Sequence, residues 1–434
     1  MKRVAIIGSG ISGLGAAWFL HRDFAVTVFE ADSHIGGHAN TVTVAEHGAT
    51  VPVDTGFMVF NRVTYPNLAR LFDALEIPAK RTDMSFSVTH VPQGLEFCGS
   101  SLDHLFVQRR NLLRPSHYRM LWQIDRFNRE AVAALDDAAV ERMSLAEYVD
   151  RGGYGGDFLR LYLLPMSSAV WSTPPGRMLQ FPAATLLRFF HNHGFLGLHT
   201  QHPWWTVQGG SQEYVARLVR PFRDRVFSRT PVRRVRRRPD GVDVVTDTAT
   251  TTFDKVIFAC HPPVTRNLLA VDATPAESRL LGCFPYQPNM ATLHRDPAVM
   301  PRTRRAWSSW NHRTEAVGGG QDGAEAGPLD HSTHYWMNRL QGVSPRQDYF
   351  VSITDRPRPD RREVLRQIPY EHPLFDLAAR KAQPDIPVLN AAAIGGTETY
   401  HVGAWQRHGF HEDGLLSAAN LSRLLLNRDP WTAR

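Results

Sequence analysis

The sequence predicts an α/β fold in two interleaved parts: a Rossmann-like domain assembled from both chain ends, and an α+β domain inserted between them. Three observations carry this prediction. The stretch "VAIIGSGISGLGAAWFL" (4–20) breaks an apolar run with glycines and leads into a second apolar run ending at Glu30. The C-terminal stretch "AAAIGGTETYHVGAWQRHGFHEDGLLSAANLSRLLL" reads as strand, glycine loop and helix. The middle of the chain first follows a helical period and then alternates as strands do.

The N-terminal unit comes first. Lys2 and Arg3 before an apolar run would also suit a secretory signal, but Gly8, Gly10, Gly13 and Gly15 interrupt the apolar core that a signal needs. The run therefore reads as a strand over 3–7, a glycine turn, a helix over about 12–21 and a strand over 25–30. The turn spans Gly8, Ser9, Gly10, Ile11, Ser12 and Gly13 and matches G-x-G-x-x-G. Its first glycine permits the tight turn, its second lets a pyrophosphate approach the backbone, and its third lets helix pack on strand. The helix N-terminus then offers partial positive charge to phosphate. Glu30, followed by Ala31, ends the second strand at the spacing where a carboxylate binds ribose hydroxyls.

Further along, Gly36 and Gly37 precede His38, and "VPVDTGFMVFN" places Thr55, Gly56 and Phe57 in another tight turn. A site opened by the first 30 residues and completed by the last 50 suits a long dinucleotide, and FAD fits better than NAD. The Rossmann-like domain is accordingly expected to comprise 1–80, 205–270 and 385–434. The inserted domain takes 81–204, mostly helical with 118–135 and 183–193 clearest, and 271–384. The latter alternates at 289–294, 305–311, 332–340 and 348–354 and so reads as a sheet. "EAVGGGQDGAEAGPLD" (315–330) reads as an exposed loop.

Composition sets limits. No apolar stretch of about 18 residues escapes interruption, so no spanning helix is expected. Cys98, Cys260 and Cys283 have neither metal nor disulfide spacing, which suits a reducing, cytoplasmic compartment. The net charge is +7 and rests on arginine, clustered at 233–238 and 302–305; lysine occurs only at 2, 80, 255 and 381. Such clusters are either solvated faces or an attraction to anionic lipid at a membrane surface. No nucleic-acid-binding motif accompanies them.

The strings "GSGISGLGAAW", "FEADSHIGG", "DTGFMVFN", "PVRRVRRRPDGVDVVT", "FDKVIFAC" and "GGTETY…HGFHEDG" resemble, in order, the flavin-containing amine oxidase and phytoene desaturase superfamily. "SSAVWSTPP", "FPAATLLRFFHNHG" and "WWTVQGGSQEYV" resemble a bacterial NAD/FAD-binding branch similar to the N-terminal domain of plant cyclopropane fatty acid synthases. The resemblance implies an FAD-binding fold with Val232 pairing its backbone with adenine. It implies that Gly395, Gly396, Thr397 and Glu398 meet the ribityl and pyrophosphate, and that Gly409, Phe410, His411 and Glu412 pass beside the isoalloxazine. Two departures stand out. His38 replaces the usual arginine, and no lysine matches the family's active-site lysine; His294 or Arg295 stands there instead. No cysteine follows Cys283, so the FAD is expected to be non-covalent.

The chemistry expected is hydride transfer from substrate carbon to flavin N5, with a side chain taking the second hydrogen as a proton. His191, His193, His294, His401, His408 and His411 are candidate bases, and His193, His294, Arg295 and His411 are the expected catalytic residues. Each histidine also suits a structural role bonded to backbone. Glu412 and Asp413 read as helix N-terminal carboxylates, and Cys260 as packing. Trp171, Phe189, Phe190, Phe195, Trp204, Trp205, Trp307, Trp310, Tyr335 and Trp336 read as plain core or, jointly, as an apolar tunnel. The leading function is desaturation of fatty acyl chains of membrane lipid. Two others fit: an amine oxidase, and a non-catalytic flavin-binding partner of an acyl-chain methyltransferase.

Overall fold

In the computed structural model, which describes residues 1–197, 200–317, 329–353 and 359–432, β1 (Arg3–Ile7) is buried from Val4 onward and lies mid-sheet. An apolar run without alternation is what a strand covered on both faces requires. β1 pairs in parallel with β2 (Ala25–Phe29) and with Lys255–Phe258. Val226–Phe227 flanks β2 and Thr399–His401 flanks Lys255–Phe258, giving five parallel strands. All five C-terminal ends therefore share one edge, where ligands bind in open α/β sheets.

Helix α1 (Ile11–Leu20) is buried on every side, which explains its apolar residues all round. One neighbour is the last helix, His411–Leu426. A Cβ at Gly15 would stand 2.8 Å from Leu415 Cδ1, so glycine there sets the closeness of the two helices. The chain ends meet on this pair.

The second sheet has seven strands in the order Val364–Pro373, Tyr286–His294, Phe350–Ile353, Leu329–Trp336, Trp310–Ala316, Phe86–His90 and Leu95–Cys98. Its last two strands lie in 81–204, a segment whose sequence predicts mostly helix. They are short, and a turn at Gly94 (φ 58°) returns the chain so that they pair with each other. The remainder of that segment is helical, including Pro115–Ala134 and Ala183–Asn192. The strand expected at 305–311 begins only at Trp310, because Arg304–Ala306 forms a 3₁₀ turn. Of the loop expected at 315–330, residues 318–328 lie outside those described.

Asp54 ties the two parts together. Its buried carboxylate accepts from Ser211 N (2.9 Å), Ser211 Oγ (2.8 Å), Thr41 Oγ1 (2.6 Å) and Gln341 Nε2 (2.6 Å). Burial raises its pKa and these donors oppose the rise. Among the described residues no helix is long and apolar enough to cross a membrane.

Candidate functional site

The site begins at the C-terminal end of β1. Gly8 takes φ 106°, and a Cβ at Gly13 would overlap the Gly8 carbonyl oxygen, so both need glycine to let α1 start against the strand. Gly10 differs: a Cβ there would meet nothing within 4 Å. α1 starts at Gly10 with neither a side-chain cap nor an acidic residue in its first turn. Its orphan N–H groups therefore face open space, as anion binding requires.

Glu30 closes one flank. Its Oε2 accepts from Ser9 N (2.9 Å) and Ser9 Oγ (2.5 Å), and its Oε1 from Asp32 N (2.9 Å). Oε1 keeps a lone pair for a hydroxyl. Ala31 is exposed beside it. Glu30 N donates to Phe227 O and Thr230 N donates to Glu30 O, which brings Val232 to the same flank, packed with Ile7 and Phe29.

Gly36 to His38 fold over the turn. Gly36 N donates to Ser9 Oγ (3.2 Å), and a Cβ at Gly37 would stand 3.0 Å from Gly10 Cα. His38 O accepts from Phe57 N (2.7 Å), and a Cβ at Gly56 would overlap that oxygen. Thr55 N donates to Asn40 O (2.9 Å). Phe57 stacks on His411 with ring centres 3.9 Å apart. The structure thus gathers Gly8–Gly13, Glu30, Gly36–His38, Thr55–Phe57 and His411 along one continuous surface.

Four residues do not join them. Gly395, Gly396, Thr397 and Glu398 precede the strand Thr399–His401, so they lie at the opposite edge of the sheet. Val256 N donates to Glu398 O near the start of Lys255–Phe258, and Glu398 pairs with Lys255. The cofactor edge is taken instead by Val402 and Gly403: Val402 N donates to Phe258 O (2.9 Å) and Gly403 N to Ser417 Oγ (2.9 Å). A three-residue strand leaves almost no alternation to detect, so the sequence suggests a strand before the glycine loop whereas Thr399–His401 follows it.

Glu412 also serves elsewhere. Its carboxylate accepts from Asn67 N (3.1 Å), Asn67 Nδ2 (2.6 Å) and Leu68 N (2.9 Å), capping α2 (Pro66–Ala74). It supports the site from behind rather than lining it. Glu412→Ala is expected to cost about 2–4 kcal/mol, the penalty of leaving buried N–H groups unpaired. Denaturant titration measures this, and a midpoint unchanged from wild type contradicts it. Asp413 accepts from Phe410 N (3.0 Å) and His408 N (3.2 Å), and burial pushes it up to about 7.

His294 and Arg295 are not at the reaction end. His294 is fully buried near the far end of Tyr286–His294: Nε2 meets Ser352 Oγ (2.7 Å) and Nδ1 accepts from Asp296 N (3.2 Å). Arg295 pairs with Glu363 (3.4 Å). At about 3.4 Å per residue, His294 lies roughly 27 Å along the strand from Tyr286, which stacks on His261.

The start of that strand carries the polar groups the sequence reading missed. Asn289 Nδ2 donates to His372 Nδ1 (2.7 Å) and lies 3.2 Å from Ser172 O, and Gln287 Nε2 donates to Ser172 O (2.6 Å). His38 stacks on Tyr370 (4.7 Å) with His372 at 5.2 Å and His261 at 6.5 Å. His261 Nδ1 lies 3.0 Å from Glu371 Oε2. A carboxylate only accepts, so Nδ1 carries the proton and Nε2 keeps its lone pair. His372, accepting at Nδ1, carries its proton on Nε2. Burial lowers His261, takes His372 to about 4 and holds His38 well below its ordinary value, so all three are neutral at pH 7. The available signal was the period-two spacing of Gln287 with Asn289 and of Tyr370 with His372, on strands that pair with each other.

Beside this cluster stands an aromatic wall. Phe410 stacks on Phe189 (4.9 Å) and approaches Trp171 (6.0 Å), Trp171 meets Phe181 (4.6 Å), and Phe375 edges Phe181 (6.1 Å). Gly409, with φ 94°, leaves room for Phe375. His193 belongs to this wall, stacked on Phe189 (3.8 Å) and Trp204 (5.9 Å), with Nδ1 on Phe189 O. Burial lowers it to about 4. His411 meets Tyr214 OH (3.1 Å) and falls to about 3 for the same reason. Trp307 and Trp336 lie elsewhere, packed around Arg304 at 3.6 and 4.8 Å. Trp310 packs on Tyr335 (4.9 Å) within a core that does not include the wall. The expected tunnel set therefore divides. Cys260 is raised to about 11 by burial, as a packing thiol would be.

The surface fits FAD. Gly10 leaves space where a pyrophosphate needs it, α1 presents uncapped N–H groups, and the buried His38 Nε2 has no protein partner. Residues 11–289 match the family model for flavin containing amine oxidoreductase. Carotenoid phi-ring synthase of Streptomyces griseus is 29% identical over 330 residues, 70% of this chain; the match spans 59% of the length of that relative. Among solved structures, cyclohexylamine oxidase from Brevibacterium oxydans IH-35A superposes with a TM-score of 0.69 at 17% identity, covering 98% of this chain and 100% of that one. A CLA-producing fatty acid isomerase from P. acnes superposes at 0.66 with 13% identity, covering 98% of each.

Proposed function

Since this chain belongs to the flavin containing amine oxidoreductase family and is an FAD-dependent oxidoreductase, we propose that it dehydrogenates fatty acyl chains. The observation that carries the proposal is the pairing of an aromatic wall with a cluster of neutral imidazoles. An acyl carbon offers no charge to grip, so orientation must come from apolar contact. Phe410, half-buried, presents that surface, and the buried rings of Phe189, Trp171, Phe181 and Phe375 hold it in place from behind.

FAD, when bound, supplies the two-electron acceptor for the hydride. The polypeptide holds the chain and takes the second hydrogen as a proton while the carbon–carbon double bond forms. His261 suits that role: Glu371 fixes its tautomer and Nε2 is free to accept. His372 offers a neutral donor beside it.

Amine oxidation is less favoured by the same surface. Lys255, the buried lysine nearest in sequence to His261, pairs with Glu398 at the opposite edge of the sheet. The carboxylates near the wall are engaged, Asp413 by backbone N–H groups and Glu371 by His261.

Anaerobic mixing of the holoenzyme with acyl lipid is expected to bleach the flavin. His261→Gln is expected to slow that bleaching by about 10²- to 10⁴-fold with flavin content unchanged. Bleaching by simple amines and by no lipid across saturated, unsaturated and methyl-branched chains would defeat the proposal. Turnover found only with an added methyltransferase would assign the chain to a supporting role.

A further inference from the structure

We infer that residues 102–122 form a docking surface for an anionic lipid bilayer. Leu102 (76% exposed), Leu113 (89%), Trp122 (57%), Tyr118 (47%) and Leu112 (46%) all present apolar surface to solvent within this short stretch. No other segment of similar length among the described residues exposes as many large apolar side chains. Single exposed apolar residues are ordinary, but a contiguous patch marks an interaction site.

The patch is continuous in space. Tyr118 OH donates to Leu112 O (3.0 Å), and Phe106 packs on Tyr118 (5.5 Å). Trp122 follows Tyr118 by four residues in Pro115–Ala134, so both lie on one helix face. The inner face of that helix is committed to the core through Met120, Gln123, Phe127 and Ala131. No bending of the helix could hide the outer face as well.

Charge selects the occupant. Arg109, Arg110, Arg114 and Arg119 interleave with the apolar residues, and Asp103 is the only acid of the stretch. Asp103 is paired with Arg109 (2.5 Å) and with Arg305, so the basic run at 302–305 borders the same patch. Aliphatic tips, interfacial aromatics and surrounding arginines are what a bilayer with acidic headgroups accommodates. A second copy of this chain would set the arginines against each other. This inference concerns docking alone and does not depend on which substrate the site takes.

Co-sedimentation of the full-length holoprotein with vesicles tests it. Binding is expected to phosphatidylcholine vesicles containing phosphatidylglycerol, and to fall as salt is raised. Partitioning should drop about tenfold or more in Leu113→Asp/Trp122→Ala, and about fivefold for each of Arg110→Gln and Arg119→Gln. Val388→Asp, at an exposed apolar residue far along the chain (67% exposed), controls for charge alone and should bind as wild type. The inference is overturned if the folded holoprotein stays in the supernatant with acidic vesicles, or if Leu113→Asp/Trp122→Ala sediments like wild type. It is equally overturned if sedimentation velocity finds a dimer that Leu113→Asp dissociates while vesicle binding is absent.

Discussion

Gly10→Val is expected to yield a folded protein that retains no FAD, and Gly13→Val one that does not fold. The two glycines are three residues apart and face opposite ways. At Gly10 the backbone is extended (φ −70°, ψ 178°), a conformation any residue adopts, and a Cβ meets no protein atom within 4 Å. The polypeptide therefore has no reason to reject a side chain there. Valine would instead fill the space over the uncapped start of α1, which phosphate oxygens need in order to reach the N–H groups. At Gly13 a Cβ would overlap the Gly8 carbonyl and stand 3.1 Å from Ala259 Cβ. Both directly follow central strands and are bonded to the ends of their neighbours, Gly8 N to Phe29 O and Ala259 N to Ile7 O, so they cannot yield without opening the packing of the sheet against α1.

The purified proteins distinguish these outcomes. Gly10→Val should be colourless, show the circular dichroism of wild type and melt like FAD-stripped wild type. Only the stabilisation contributed by bound ligand should be lost. Gly13→Val should be recovered as aggregate. Stoichiometric flavin in Gly10→Val would remove the phosphate site from the turn.

The contrast between these glycines also shows what was legible in the sequence. The strand–turn–helix–strand unit is written locally: glycine spacing, apolar runs and Glu30 lie within 30 residues, and their geometry needs no distant partner. Position at a sheet edge is not written locally. Gly395–Glu398 reads as a cofactor loop because it has the right residues, and only the parallel pairing of Thr399–His401 with Lys255–Phe258 reveals that it lies at the wrong edge. The same holds for His294. Its strand was recognised, but which end meets the cofactor depends on pairing with Val364–Pro373, whose His372 and Tyr370 complete the cluster. The strands Phe86–His90 and Leu95–Cys98 were hidden for a related reason. They are brief, and the strand that joins them to the rest of the sheet, Trp310–Ala316, pairs with Phe86–His90 from more than 200 residues away.

Acidification is expected to unfold the protein steeply between about pH 6.5 and 4. His294 and His193 are buried and lowered to about 4 by desolvation, whereas an unfolded histidine titrates near 6.5. In that interval the unfolded chain binds protons that the folded one refuses, so stability falls as pH falls. The contribution is fully present above about 6.5 and lost as pH drops towards the folded value. At about 1.4 kcal/mol per pH unit, each of these histidines is worth on the order of 3 kcal/mol, against a total of roughly 5–15 kcal/mol for a typical fold. His312, with neither ring nitrogen bonded, is lowered to about 3 and adds in the same direction. Asp413 acts oppositely: raised to about 7, it destabilises the fold above that value and is relieved as pH falls. Burial raises Asp54 and Glu412 in the same sense as Asp413, but these three carboxylates are outnumbered by lowered imidazoles, which also include His38, His372, His408 and His411, so the net slope is positive. Denaturant midpoints taken from pH 7.5 to 5 should fall steadily, and His294→Gln should flatten part of that slope while keeping the bond to Ser352. Midpoints that hold constant across the interval would mean that these rings are reached by water or charged in the native state, and the neutrality assigned to the imidazoles at the site would lose its support.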